Sequence, residues 1–293
     1  MKYYTLENQF LKATFKTKGA ELISLKKENT EYIWQGNPEF WNRHTPVLFP
    51  FVGALKNNTY SYNGETYHMG QHGFARDQDF ELKEKEATKI TFELAANKET
   101  LKVYPFHFVL QLTYTLTNNE LVTSYRVKNT ADQALYFSIG AHPAFNCPID
   151  KNQTREDYVL KFDCDQTPAS KKIEEGLIGN KSFPVFKHKG IIELTKNLFD
   201  KDALIFDPNP FSEVTLIHKA TGKKELSIEF RNFPYLGIWS KNQESPFICI
   251  EPWQGIADNV NHNQELRDKE GILKLPKQQS FHCEYKISPG TLG

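Results

Sequence analysis

Apolar and polar residues alternate with a period of two along nearly the whole chain, and no other feature constrains the fold as much. Residues 90–94 (ITFEL), 108–116 (FVLQLTYTL), 121–127 (LVTSYRV), 158–162 (YVLKF), 214–218 (VTLIH) and 226–230 (LSIEF) place apolar side chains at alternate positions. Such a segment buries one face of a β-strand on a core and turns the other to water. Turn signals fall between the runs: Asn63-Gly64 reads as a tight hairpin, and Asn118-Asn119 separates two strongly alternating segments. No long stripe of helical periodicity is present. Only residues 97–103 and 170–177 are expected to hold a helical turn or two. No Gly/Ser- or Pro-rich linker and no fixed-period repeat divides the sequence. The expectation is therefore all-β, one large antiparallel β-sandwich domain over residues 1–293. The 22 Phe, 13 Tyr and 4 Trp suit it, because aromatic side chains favour a pleated, half-buried surface.

Charge narrows the partners. Lys and Arg number 36, as do Asp and Glu, so the formal net charge is zero. Gripping nucleic acid or an anionic membrane takes an excess of positive charge, so neither is expected. No apolar run approaches the roughly 18 to 20 residues of a membrane span. The opening MKYYTLENQFLK has no apolar stretch or cleavage site of a secretory signal. Cys147, Cys164, Cys249 and Cys283 are far apart and form no C-x-x-C pair. They read as reduced thiols of a cytoplasmic protein rather than as disulfides or a structural zinc site.

Three segments break the alternation. In residues 71–76 (QHGFAR), a His-Gly turn exposes the His72 imidazole with Arg76 nearby; read alone, this is equally a turn histidine beside a surface arginine. In residues 140–145 (GAHPAF), Pro143 stops a strand and holds His142 extended at its end, where β-scaffolds place working residues. The plainer alternative is a core-edge histidine bonded to a carbonyl. In residues 247–255 (FICIEPWQG), Glu251 closes an apolar strand in an aromatic setting. Poor solvation there raises a carboxyl's pKa and strengthens it as a base, although a neighbouring strand could equally satisfy it. His68 is expected to face solvent, residues 104–108 (YPFHF) around His107 to fill core, and residues 81–89 to form a solvated hairpin face. No Gly-rich phosphate loop, G-x-S-x-G or H-E-x-x-H pattern is present.

Brought to one concave face, His72, His142 and Glu251 would supply a base, an acid and a hydrogen-bond donor. That set suits proton transfer between two oxygens of a small neutral molecule, as in exchanging the anomers of a sugar. Glu251 would take the anomeric proton and an imidazolium at His142 would protonate the ring oxygen, each contributing about 10²- to 10⁴-fold. Aromatic rings would cover the sugar's C–H face.

The motifs HGFAR, GAHPAF and ICIEPWQG, in that order, with YPF and GIWS between them, resemble the aldose 1-epimerase (galactose mutarotase-like) family, and within it the LacX-type branch. The resemblance runs from Gly19-Ala20-Glu21-Leu22 to the final strands. It implies a galactose mutarotase-like supersandwich and cofactor-independent, metal-free mutarotation of a hexose or hexose derivative. It also implies Glu251 as general base, His142 as general acid and His72 as a substrate-orienting histidine. The family's early-loop arginine is expected right after Gly53, where this chain has Ala54; the contact is then either lost or supplied by Arg76, Arg43 or Lys56. The sugar-binding aspartate falls at Asp202, with Asp200 nearly as well placed. Phe145, Trp253 and Trp239 are the candidate pocket walls. The partner is a small sugar and the chain a monomer or homodimer. Two alternatives share the fold: a non-catalytic sugar-binding or sensing protein, supported by Ala54, and a hexose-6-phosphate mutarotase using the basic residues. A glycosidase is disfavoured, since Asp258 is the only carboxylate near Glu251 in sequence.

Overall fold

The alternation at residues 108–127 becomes a long hairpin. In the computed structural model, which describes residues 1–290, Phe108–Thr117 pairs antiparallel with Glu120–Asn129, from Phe108 opposite Asn129 to Thr117 opposite Glu120. Its alternate residues Phe108, Leu110, Leu112, Tyr114 and Leu116 are buried, and Asn118 at φ 52° makes the turn. Asn63 and Gly64, at φ 53° and 82°, join Thr59–Tyr62 to Glu65–His68 as expected of a two-residue hairpin. His68 faces solvent, while Tyr104, Phe106 and Phe108 lie in the core around an exposed His107.

Two large antiparallel sheets carry the architecture. The nine-stranded sheet runs in the order Ile191–Glu193, Tyr158–Phe162, Glu213–His218, Lys224–Glu229, Ser280–Pro289, Glu120–Asn129, Phe108–Thr117, Lys89–Ala95, Glu81–Lys85. The eight-stranded sheet runs Leu177–Phe183, Ser170–Glu174, Leu204–Phe206, Tyr235–Trp239, Phe247–Gln254, Ile139–Ala141, Val47–Leu48, with Ala144–Asn146 also paired to Phe247–Gln254. Inward side chains of both sheets, such as Leu110, Leu112, Tyr125, Leu236, Ile238 and Ile250, belong to one continuous core. Among the described residues no helix is long and apolar enough to cross a membrane.

The eight-stranded sheet is covered on both faces, and that fixes the site. All eight residues of Phe247–Gln254 are buried. Ile248 and Ile250 join the main core, whereas Cys249 and Trp253 pack on the opposite face among separate apolar clusters. A strand covered on both sides reads as an apolar run rather than an alternating one. Its edge partner changes midway: Ile139–Ala141 pairs with residues 253–254, and Ala144–Asn146 with residues 247–249. The Ile250 N–H donates to Pro143 O in the gap, at 3.3 Å. Two residues on, the same edge carries Pro252, which has no N–H to offer and needs no partner there.

Two expectations are corrected. Residues 98–103 do form a helical turn, Lys98–Val103, capped by Asn97 and Thr100. Residues 170–177, however, are a β-hairpin, Ser170–Glu174 to Leu177–Phe183, turned by Glu175 and Gly176 at φ 53° and 82°. Phe145 is the second correction. Along Ala144–Asn146, Ala144 faces the Trp34–Phe247–Cys249 cluster, so Phe145 points to the other side, fully buried in the main core. It is not a pocket wall.

Candidate active site

The outer face of the eight-stranded sheet floors a cavity of about 830 Å³. Tyr235 and Gly140 stand opposite Trp253 on the two flanking strands, and Gly237 opposite Glu251. Glycines here leave room for the indole: a Cβ on Gly140 would lie 2.6 Å from the Trp253 ring and one on Gly237 2.5 Å from it. Trp253 thus lies flat between two strands, with Glu251 beside it on the same face.

Loops raise the walls. His72 and Gly73, at φ 67° and 70°, turn the chain so that the imidazole enters the cavity. Gly73 is required, because a Cβ would lie 2.3 Å from the Phe49 carbonyl oxygen. That carbonyl accepts the N–H groups of Phe74 and Ala75, both at 3.1 Å, seating this turn on residues 49–53. The His72 backbone N–H donates to Gly53 O at 2.9 Å, and the Gly53 N–H donates to His72 Nδ1 at 3.1 Å. Nδ1 is therefore an acceptor, and a neutral His72 carries its proton on Nε2. Burial, then the neighbouring His142, keeps its pKa well below the usual value.

Trp41 and Arg43 come from a loop anchored by a buried carboxylate. Glu21 accepts the backbone N–H groups of His44 and Thr45 at 2.7 and 3.0 Å and pairs with Lys16. Trp41 stacks on His142 with ring centres 4.8 Å apart, and Trp239 meets that ring edge-on at 5.7 Å. Arg43 forks onto Asp77 at 3.0 and 3.2 Å. Arg76 donates to Gln71 O at 2.7 Å, and burial lowers its pKa to about 10.

At the floor, His142 Nε2 lies 3.2 Å from Glu251 Oε2, off the angle of a hydrogen bond, so that oxygen has no aligned partner; His142 Nδ1 also lacks one. Burial pushes the Glu251 carboxyl well above its usual pKa. The Trp253 indole N–H opposes this by favouring the ion, and the Asp202 charge reinforces it. Burial, followed by the Arg76 charge, lowers His142 to about 3. Burial thus favours a protonated carboxyl beside a neutral imidazole over the ionised pair, with the proton for acid–base work on the Glu251 side.

The structure gathers Glu251, His142, His72, Arg76, Arg43, Asp202, Trp253 and Trp239 around one cavity, together with Asp200. Asp202, at φ 77°, accepts the Ala203 N–H at 2.7 Å. Asp200 instead takes a hydrogen bond from Gln243 at 3.2 Å. Lys56 is directed elsewhere, its Nζ donating to His262 O at 3.1 Å. Asp258 is held by Lys269 at 2.8 Å in a fully buried ion pair and does not line the cavity. Trp41, Phe199, Lys201, Lys241 and the 173–178 hairpin also line it, and sequence reasoning missed them. Only Trp41 carried a signal, an indole two residues before Arg43 in an irregular segment.

Comparison with known proteins bears on the family and the fold. The sequence profile of the aldose 1-epimerase family matches residues 2–272. Protein LacX (chromosomal) of Lactococcus lactis subsp. lactis is 35% identical, with 97% of this chain and 98% of that protein covered. The crystal structure of a galactose mutarotase related enzyme from Lactobacillus acidophilus superimposes with a TM-score of 0.92 at 36% identity, covering 99% of this chain and 98% of the other. A galactose mutarotase-like protein from Lactobacillus casei ATCC 334 gives 0.91 at 32%, covering 98% and 99%.

Proposed function

Because this chain belongs to the aldose 1-epimerase family, we propose that it interconverts the α and β anomers of a hexose or hexose derivative. The observation that carries this is the buried Glu251–His142 contact of 3.2 Å at the floor of a tryptophan-walled cavity. The two groups share one proton. With the proton moved to His142, the Glu251 carboxylate removes the anomeric hydroxyl proton while the imidazolium protonates the ring oxygen. The ring opens, leaving the carboxyl protonated and the imidazole neutral, the form that burial favours. Rotation about C1–C2 and reversal of both transfers close the other anomer. His72 Nε2–H supplies a fixed donor to a sugar oxygen. Asp202 and Arg76 read further hydroxyls, and Trp41, Trp239 and Trp253 cover the C–H face.

Magnetisation-transfer NMR or polarimetry on a panel of hexoses tests this. Catalysed exchange is expected with the parent, falling about 10²- to 10⁴-fold in Glu251→Gln and in His142→Asn. No acceleration with any sugar would sink the enzyme and leave a sugar-binding protein, and full activity in Glu251→Gln would overturn the role given to that carboxylate.

Arg43, Arg76, Lys201 and Lys241 line the same cavity, which favours an anionic derivative such as a hexose 6-phosphate as the alternative substrate. Arg43 and Arg76 bring positive charge to the cavity, whereas Ala54, in place of the expected arginine, does not line it.

A further inference from the structure

Cys249 has no part in the acid–base chemistry, yet it lies two residues before Glu251 on the same face of Phe247–Gln254 and is fully buried. A ring nitrogen of His142, the Cys249 sulfur and a Glu251 carboxylate oxygen all lie within 4.8 Å of one another. Glu251 Oε2 and His142 Nδ1 are buried without aligned partners. Atoms no more than 4.8 Å apart have a common centre at most about 2.8 Å from each (4.8 Å divided by √3), and zinc bonds nitrogen, oxygen and sulfur at roughly 2.0–2.3 Å. Closing that gap takes shifts of a fraction of an ångström.

We propose that His142, Cys249 and Glu251 form a binding site for one borderline-soft divalent cation, zinc foremost, just beneath the cavity floor that His142 and Glu251 line. One nitrogen, one thiolate and one carboxylate make a three-ligand set that leaves a fourth position for water or a sugar hydroxyl. Arg76 and Arg43 stand close enough to lower the His142 pKa, so an isolated dication is repelled. Thiolate and carboxylate together balance the charge of the ion. Zinc takes the deprotonated thiolate and carboxylate, so binding weakens as pH falls. An ion there ties up both members of the acid–base pair. That inhibition rests on the proposed mutarotation; the binding itself does not.

Zinc alone is titrated into the full chain by calorimetry in buffers of differing ionisation enthalpy, and cobalt(II) is followed by absorption. One ion per chain, release of protons on binding, and a near-ultraviolet thiolate-to-cobalt band are expected. In Cys249→Ser the band disappears and zinc affinity falls at least about tenfold. In Cys283→Ser, which removes the half-buried thiol beside His282 and Glu284, both survive. Absence of binding, binding without the band, or a band that persists in Cys249→Ser overturns the site. Should Cys249→Ser fail to fold, X-ray absorption on the zinc-loaded parent decides: one sulfur in the shell supports the site, and an all-nitrogen/oxygen shell overturns it. None of these readouts needs catalysis, so failure here and failure of the mutarotase assignment remain distinguishable.

Discussion

Burial acts on Glu251 and His142 in opposite senses, tightening the carboxyl's hold on its proton and loosening the imidazole's. In the unfolded chain, between the ordinary values of 4.5 and 6.5, the carboxyl is ionised and the imidazole protonated; on folding the proton sits on the carboxyl instead. The number of protons bound is unchanged, so within that window the pair adds no pH dependence to stability. Above 6.5 the unfolded pair holds none, so stability falls as pH rises through the range in which the folded carboxyl loses the proton that burial favours. Below 4.5 the unfolded pair holds two against one, and stability falls as pH drops toward about 3, where folded His142 takes its proton. Removing one partner uncovers the slope of the other. Relative to the parent, His142→Asn should lose stability as pH rises from 4.5 to 6.5 and Glu251→Gln should gain it. Each slope should be at most about 1.4 kcal/mol per pH unit. Urea unfolding across that range checks this, and slopes of the same sign would rule out the neutral pair.

The strand Phe247–Gln254 and its glycine-bearing neighbours set the depth of the site. A methyl on Gly237 would lie 2.5 Å from the Trp253 ring, with the indole packed between two strands. Gly237→Ala should therefore destabilise the fold by about 1–3 kcal/mol through overpacking. Thermal unfolding measures this, and loss of sugar-induced change in tryptophan fluorescence would show that the indole has moved. Glu21 governs a different element. Glu21→Gln keeps the shape but weakens the charge-assisted bonds to the His44 and Thr45 amides and the pairing with Lys16. Steady-state exchange kinetics should show KM rising more than kcat falls, because in the proposed mechanism Trp41 borders the sugar without moving protons. These elements were unequally legible in the sequence. Alternation revealed the nine-stranded sheet because many of its strands keep one wet face. Phe247–Gln254, dry on both faces, announced itself only by its carboxylate. Residues 170–177 (SKKIEEGL) read as helical because of their Lys and Glu; Glu175-Gly176 plays the part that Asn63-Gly64 plays elsewhere. Phe145 shares a motif with His142 but sits on the opposite side of its strand, a parity that no motif displays.

At the scale of the whole molecule the charges cancel, 36 against 36, yet their distribution is not neutral around the cavity. Arg43 and Arg76 come from early loops, Lys201 from the turn before Leu204–Phe206, and Lys241 from the loop after Tyr235–Trp239. Only folding brings them together, which is why composition and spacing do not reveal the cluster. Asp77 offsets Arg43, Asp200 and Asp202 lie on the same wall, and Glu251 is held protonated by burial. Lys201 and Lys241 are exposed, so their reach to a ligand passes through solvent and is screened over about 10 Å at 0.1 M salt. A hexose 6-phosphate should therefore bind less tightly as salt is raised, whereas the neutral hexose should bind equally at low and high salt. Calorimetry with both sugars separates the cases, and a Lys201→Ala/Lys241→Ala double variant should flatten the salt dependence of the phosphorylated ligand alone. If the phosphate adds no affinity at low salt, these cations serve solubility and the wall structure, and the substrate is a neutral sugar handled by the same Glu251–His142 pair.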